Sequence, residues 1–532
     1  MRSVLTLKQL VFSKTYNHNK GLLENRTKGT VPFWKFLALL TVCSAALIEA
    51  ASFVRTPYLQ LGAPTSASIC WRVDVASVLT VRYGKDSSDL KSVSTASPNS
   101  TNACVSLTGL SPATKYYYQV YDGNTRLAGT SEQYFVTHPP VGEKGAYKFW
   151  IIGDAGTLYS EQFAVRDAFL SINKGPHTDG FIMLGDNAYE NGTDSELTKK
   201  MFNVYPTIMS STFTWSCIGN HESYTSKGAP YLDAFNFPTQ GQSGGVASNT
   251  ELYYSYDYGN IHFISLASIV ASRSATGPQM EWLKQDLQAT RQEWIVVYFH
   301  HPPYTWGSHN SDTEKEHIEM RQNFLPVLEQ YGVDIVYGGH SHNYERSFLL
   351  DSAYGNSTDN KNKSNRVILD KRSGNPATTG PYIKTSKTAG HKGTVYVVDG
   401  SSGKVSPIKG LHPMHYIQLR VEGSVILTIN DTVATHKFYD KSGKLLDEFQ
   451  LIQRDSPTLV NSSKKSASEF KYSGRTFWFS EKNQTEFFVY SIRGQMVMRK
   501  VPKGKLLIDS KMLPSGKYYY RFASAYGKID LQ

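Results

Sequence analysis

Between residues 53 and 138 apolar and polar positions alternate with a period of two, in runs too short for helices. "SASICWRV", "SVLTVRYG" and "SEQYFVTH" show the pattern, and the runs stop at Gly, Pro, Asp or Asn. That is the signature of short strands joined by turns, and with Trp71 on an early strand it predicts a β-sandwich. After the linker "THPPVGEKG" the period changes. From 146 to about 345, apolar runs of strand length ("YKFWIIGD", "GFIMLGD", "WIVVYFH", "VDIVYGGH") alternate with helical stretches such as "SEQFAVRDAFLSIN" and "MEWLKQDLQATR". This predicts α/β structure with strands buried on both faces. Residues 394 to 452 return to strand pattern and are expected to complete the sheets of the same 146–452 domain. A polar linker around "RDSPTLVNSSKKSASEF" then leads to a small all-β unit over 466–532.

The first 50 residues stand apart. "VPFWKFLALLTVCSAALIEAAS" has a lysine, an apolar stretch from Phe36 to Ile48, and then small residues. It reads as a signal peptide with a long n-region and cleavage near Ala50–Ala51, the rival being a permanent N-terminal anchor. Export to a secreted or cell-surface location follows from the first reading.

Composition narrows the picture modestly. Of 532 residues, 40% are hydrophobic and 19% charged, as in a globular protein. The formal net charge of +11 suits an anionic substrate, but the positive residues are scattered, which argues against a nucleic-acid-binding patch. Four cysteines form no cluster, which excludes zinc-ribbon and iron–sulfur frameworks. Cys70 and Cys104 share the strand-rich segment and are candidates to pair, whereas Cys217 reads as a small buried hydrophobe.

Candidate chemistry lies at the ends of the middle strands. "IIGDAG" carries Asp154, "MLGDNAYE" carries Asp186 and Tyr189, and "CIGNHE" carries Asn220 and His221. "VYFHHPPY" adds His300 and His301, and "YGGHSHNYER" adds His340 and His342. In α/β sheets ligands bind beyond the carboxyl ends of the strands, so these groups should converge. Glycines before Asp154, Asp186, Asn220 and His340 are expected to permit sharp turns there. Carboxylate, imidazole, amide and phenol donors together suit Fe, Mn or Zn better than Ca. Seven donors are about enough for two ions that share one carboxylate.

The blocks "GDAG", "GDNAY", "GNHE", "FHHPPY" and "GGHSH" resemble those of the metallophosphoesterase superfamily, and the tyrosine in "GDNAY" narrows the resemblance to purple acid phosphatases. It covers about residues 53 to 452, because a fibronectin type III-like module is usual before that catalytic domain. Leu110, Pro112, Thr114 and Tyr116 match the "L-x-P-x-T-x-Y" turn of such modules. The resemblance implies a multidomain chain: an N-terminal β-sandwich, a central four-layer α/β metallophosphoesterase domain and a small C-terminal all-β domain. It also implies that Asp154, Tyr189 and His342 hold Fe(III), and that Asn220, His300 and His340 hold a divalent ion (Zn, Fe or Mn). Asp186 would bridge the two, with His301 as the alternative to His300. His221 matches the histidine that binds phosphate oxygen. His309 matches the first histidine of a pair in the next loop, where Asn310 replaces the second, so the leaving-group acid is His309 or His221. Glu222, Tyr344, Glu345 and Arg346 read as packing and salt-bridging neighbours.

The C-terminal unit resembles a type IX secretion sorting domain through Tyr490, Gly494 and Val497, then Leu513, Gly516 and Tyr518. That implies cell-surface attachment after export, and a further sandwich module is the other reading. The function expected is a secreted acid phosphatase acting on phosphate monoesters. The alternatives are a phosphodiesterase or nucleotide-ester hydrolase on the same site, and a cell-surface binding protein with a vestigial metal site. Specificity is expected from loops 223 to 250 and 353 to 380.

Overall fold

Alternation in the N-terminal segment becomes two facing sheets. One orders Phe53–Gln60, Ser66–Val73 and Asn102–Thr108; the other orders Ser92–Thr95, Leu79–Gly84, Lys115–Asp122 and Thr125–Ala128, with Tyr134–Val136 paired to Lys115–Asp122. The computed structural model describes residues 50–454 apart from 96–99, 131–132, 175–176 and 386–389. It also describes 470–531 apart from 474–475, 480–485, 492–495, 510 and 523–524. The proposed signal segment with Cys43, most of the polar linker, and Gly494 lie outside the described residues.

Period two does here what it should. Tyr116, Tyr118 and Val120 are buried while Lys115 is exposed, and Trp71 is buried in the same core. The Ser111 N–H donates to the Tyr116 hydroxyl oxygen at 2.9 Å, which ties the "LSPATKY" turn to its strand. Cys70 stands opposite Cys104 on the neighbouring strand, and the two form a disulfide. The module is anchored to the rest through its first strand. Arg55 is fully buried, donating from Nε to Thr198 Oγ1 at 2.9 Å and from Nη2 to Asp194 Oδ1 at 2.5 Å. The Tyr58 hydroxyl donates to the Ala234 carbonyl at 2.7 Å.

The middle of the chain builds two mixed sheets. The first has seven strands, ordered Thr214–Ser216, Gly180–Met183, Ala146–Ile152, Gly423–Asn430, Val433–Asp440, Leu445–Arg454 and Tyr382–Thr385. The second runs Tyr254–Tyr258, Ile261–Ser265, Trp294–Tyr298, Ile335–Gly338, Thr394–Asp399, Tyr344–Leu350 and Ile368–Asp370, with His415–Leu419 paired to Tyr344–Leu350. Their inner faces meet: Phe149 lies 4.7 Å from Phe263 and Tyr344 stacks on Phe438 at 4.0 Å between ring centres. Helices cover the outer faces. Helix Ser160–Ile172 buries Val165, Ala168 and Phe169 at helical spacing, and Phe169 stacks on Trp150 at 4.1 Å. Helix Pro278–Ala289 packs Met280, Leu283 and Leu287 with Ile264 and Val297 of the second sheet. Each such side chain contributes about 1.5–3 kcal/mol by leaving water. The layers are helix, sheet, sheet, helix, as the four-layer expectation required.

Three local features go beyond what period alone shows. "YIQLRVEGSVILTIND", within the strand pattern of 394–452, divides between two strands: His415–Leu419 joins the second sheet, and Gly423–Asn430 crosses to pair with Ala146–Ile152 in the first. The polar stretch 353–380 holds short helices Ser357–Asn362 and Ser364–Val367; the Asn356 side chain caps the former by accepting the Asp359 N–H at 2.8 Å. The helix beginning at Lys315 widens into a π-turn at Met320–Phe324 before Leu325–Gln330, where Pro326 has no N–H to give. Among the described residues no helix is long and apolar enough to cross a membrane. At the C-terminus, Phe470–Ser473, Thr476–Phe479 and Gly504–Leu507 form one small sheet. Met496–Lys500, Phe487–Ser491, Gly516–Phe522 and Ala525–Leu531 form another. Leu513 and Tyr518 are buried in the core that includes Phe477 and Phe487.

Candidate metal centre

Strands Ala146–Ile152, Gly180–Met183 and Thr214–Ser216 run parallel, as do Trp294–Tyr298 and Ile335–Gly338 in the facing sheet. Their carboxyl ends therefore deliver five loops to one edge of the sandwich. Six of the seven donors there join in two groups around Asp186. In the first, the Tyr189 hydroxyl donates to Asp154 Oδ1 at 3.0 Å and lies 3.0 Å from His342 Nε2, itself 3.6 Å from Asp154 Oδ1. In the second, His300 Nε2 lies 3.0 Å from Asn220 Oδ1 and 3.2 Å from His340 Nδ1. Asp186 stands between them, with Oδ1 at 3.4 Å from His300 Nε2 and with Asp154, Asp186 and His300 able to present ligand atoms within 4.8 Å of one another. The backbone N–H of His340 donates to Asp154 Oδ2 at 2.7 Å, so the two groups are mechanically joined.

The imidazoles are held in ligating postures. His300 Nδ1 faces the Leu184 carbonyl at 2.8 Å, which takes its proton and leaves the Nε2 lone pair for the site. His342 Nδ1 faces Ser406 Oγ at 3.2 Å, again turning Nε2 inward. His340 is reversed and offers Nδ1. His301, the alternative to His300, is also within reach: His300, His301 and His340 present ligand atoms within 4.8 Å of one another, with His301 Nδ1 2.9 Å from Ser268 Oγ and its ring 4.3 Å from that of His340.

The expectation that glycine carries each sharp turn holds in part: Gly185 takes φ 90°, but left-handed backbone also falls on the donors themselves, with Asp154 at φ 55°, Asp186 at 51° and His340 at 64°. Non-glycine residues hold that conformation at a cost of order 1 kcal/mol or more, which the surrounding contacts must offset. Gly339 instead supplies room. A Cβ there would stand 2.5 Å from Asp154 Oδ2.

Glu222 is the hub beneath the site. Fully buried, its Oε2 accepts the N–H of Asp186 at 3.0 Å and of Gly219 at 2.8 Å, and its Oε1 that of Ala188 at 3.0 Å. It thereby fixes the loops that carry Asp186, Tyr189 and Asn220. The neighbours after His342 are structural too. Tyr344 donates to Asp447 Oδ2 at 2.6 Å, and Arg346 makes a forked pair with the same carboxylate.

Electrostatics fit a cation-binding cluster. Burial alone would raise the Asp186 carboxyl, but His300, His221 and His340 hold it below the ordinary range. Burial opposes charging of His300, yet Asp186 and Asp154 carry it up to about 9. Burial and the charges of Asp154 and Asp186 push the Tyr189 phenol well above its usual value.

At the mouth, His221 Nδ1 faces the Glu190 carbonyl at 2.5 Å, and its Nε2 is 3.8 Å from Asp186 Oδ2. His309 lies 3.7 Å, ring centre to ring centre, from His340, with Nδ1 2.7 Å from Glu314 Oε2. Two further residues reach the centre that the sequence reading missed. Lys404 places Nζ 3.9 Å from the centre of the Tyr189 ring, and Glu314 sits among three histidines. Glu314 and His317, three apart at the start of one helix, were a legible spacing. Nothing local marked Lys404.

The chain matches two family models, "Calcineurin-like phosphoesterase" over residues 147–344 and "Purple acid Phosphatase, N-terminal domain" over residues 54–138. It is 30% identical over 255 residues to a purple acid phosphatase of Glycine max, covering 44% of this chain and 50% of that one. It is 31% identical over 275 residues to purple acid phosphatase 15 of Arabidopsis thaliana, covering 46% and 49%. A phosphoenolpyruvate phosphatase of Allium cepa is 30% identical over 259 residues, covering 46% and 50%. The match thus spans about half the length of these relatives. A solved purple acid phosphatase from yellow lupin seeds superposes with a TM-score of 0.62 at 18% identity, over 75% of each chain, which establishes likeness of fold.

Proposed function

The chain belongs to the purple acid phosphatase family, and from that premise we propose that it hydrolyses phosphate monoesters at a binuclear Fe(III)–divalent centre. The observation that carries this reading is the pairing of the donors: Asp154, Tyr189 and His342 on one side, Asn220, His300 and His340 on the other, with Asp186 between. Tyr189 in a group of oxygen and imidazole donors supports iron on its side, and the amide and two imidazoles support Zn, Fe or Mn on the other. Bound between these donors, a pair of ions would supply Lewis-acid polarisation of the ester and of a water.

The chain's own groups do the rest. His221, tethered through Nδ1, turns Nε2 toward the centre to hold a phosphate oxygen. Lys404 adds positive charge beside Tyr189. His309, kept in place by Glu314, gives a proton to the leaving oxygen, a step typically worth about 10²–10⁴-fold. Export is part of the proposal, supported by the apolar 36–48 stretch before small residues and by the Cys70–Cys104 disulfide. Surface attachment through the C-terminal unit rests on its sorting-like motif, and fractionation of cells expressing the chain with and without residues 466–532 tests both.

The activity test is phosphate release from p-nitrophenyl phosphate with metal analysis of the same sample. Activity that vanishes in Asp186→Ala is expected. Release that survives that change, or a purified protein without metal, would sink the reading, and faster turnover of bis-p-nitrophenyl phosphate would make the protein a diesterase.

A further inference from the structure

His309, Glu314 and His317 gather on the side of the His340 ring that faces away from His300. Ligand atoms of these four residues lie within 4.8 Å of one another. Glu314 Oε2 is the meeting point, 2.7 Å from His309 Nδ1, 3.6 Å from His317 Nε2 and 3.9 Å from His340 Nε2. Glu314 immediately precedes helix Lys315–Glu319 and His317 lies one turn on, so their side chains share a face.

His317 is the informative member. Its ring is fully buried, its Nδ1 faces the carbonyl of Pro302, and its Nε2 has no hydrogen-bond partner among the described residues. A carbonyl only accepts, so Nδ1 carries the proton and Nε2 presents a lone pair to a carboxylate oxygen. The unmet demand is on the buried His317 lone pair, which faces a carboxylate oxygen, and at 3.6 Å a proton between them would make no proper hydrogen bond. A cation between them would satisfy both. An imidazole with one N–H donated to a backbone carbonyl and the other nitrogen free is also how metal-ligating histidines are held.

We propose that His309, Glu314 and His317 form a third cation site, separate from the binuclear centre, for a divalent ion of the zinc class. Two imidazoles and one carboxylate with a fourth position open are a zinc-type donor set, whereas Ca and Mg prefer oxygen ligands throughout. One imidazole ring, that of His340, separates this site from the divalent half of the centre. Occupancy takes the His309 lone pair and with it the proton donor of the proposed reaction, so the third ion inhibits. That consequence rests on the phosphatase reading; the site itself does not.

The test uses the full chain carrying its two ions, dialysed against excess Zn(II) or Co(II), with metal counted per chain and Co(II) followed by its visible spectrum. A third equivalent is expected, with the absorption of four-coordinate Co(II). His317→Gln and Glu314→Gln should each keep two ions and bind the third roughly 10–100-fold more weakly or worse. Retention of two ions and of the near-ultraviolet circular dichroism shows that each variant is folded, and the partly exposed Glu314 provides the comparison should His317→Gln fail to fold. Only two ions on the parent protein, or a third bound equally by both variants, overturns the site. Turnover should fall as the third equivalent binds and stay constant over that range in His317→Gln. A third ion lost in both variants but without effect on turnover upholds the site and removes His309 from the proton transfer.

Discussion

Replacing Glu222 by alanine should loosen two loops of the candidate metal centre at once. The wild-type carboxylate accepts the N–H groups of Asp186, Ala188 and Gly219 in a place without solvent. A buried donor left without a partner costs about 1–3 kcal/mol, so three set an upper range of about 3–9 kcal/mol. Part of this returns, because burial and the neighbouring Asp186 raise the Glu222 carboxyl to about 8 and its charged form is itself held at a cost. Water entering the space left by the side chain also replaces some bonds. The expected net loss is about 3–5 kcal/mol, the size seen when one partner of a buried charged network is removed. Glu222→Gln separates shape from chemistry. Its amide oxygen can serve Asp186 and Gly219, but its NH₂ then meets the Ala188 N–H, a donor against a donor, for a loss of about 1–3 kcal/mol. At about 2 °C per kcal/mol for a large domain, the alanine variant should melt about 6–10 °C lower and the glutamine variant about 2–6 °C lower. Differential scanning calorimetry on metal-free protein isolates this from metal binding. Reversal of that order, or an alanine variant within about 1 kcal/mol of wild type, would refute the hub argument.

Under the iron assignment, Tyr189→Phe should abolish the visible absorption band of the iron-loaded protein, and a band that persists would remove the phenolate. His340→Ala should lose the divalent ion while keeping that band, because His340 Nδ1 belongs to the Asn220–His300 group; metal analysis beside an absorption spectrum decides it. Replacing Cys70 and Cys104 together by serine frees a loop with a sequence separation of 34. Loop-closure entropy puts that at roughly 3–4 kcal/mol, measurable by urea unfolding of the N-terminal module under oxidising conditions. His262, between Asp257 Oδ1 at 2.7 Å and Asp286 Oδ2 at 2.8 Å, supplies a pH signature of its own. Burial disfavours its charge, but Asp286 and Asp257 raise it to about 10, against about 6.5 in an unfolded chain. Its folded form binds the extra proton between those values, so its contribution is full below about pH 6.5 and lost as pH rises toward 10. His262→Gln should therefore flatten the decline of the urea midpoint across that window, and an unchanged slope would count against the charged triad.

Much of the site was legible in sequence because each donor follows a strand, and strands announce themselves locally through their apolar runs. Asp154, Asp186, Asn220, His300 and His340 could be placed at strand ends from period and turn residues alone. Their sorting into two groups around Asp186 could not, because it depends on two sheets facing each other across Phe149–Phe263 and Tyr344–Phe438. The same limit explains "YIQLRVEGSVILTIND". Its residues specify extended chain, but only hydrogen-bond partners more than 70 positions away send its two halves to different sheets. Left-handed backbone at Asp154, Asp186 and His340 was hidden for the opposite reason, since composition pointed to the glycines beside them, of which Gly185 does take φ 90°, while tertiary contacts placed it on the candidate donors as well. Glu222, Lys404, Glu314 and His317 acquire meaning only from what folds against them: three backbone N–H groups, the face of a phenol ring, and a ring of imidazoles. Residue type and period, being local, determined the strands, the helices and the kinds of donor. Partnership, being a matter of distance between segments far apart in the chain, was decided by the tertiary structure.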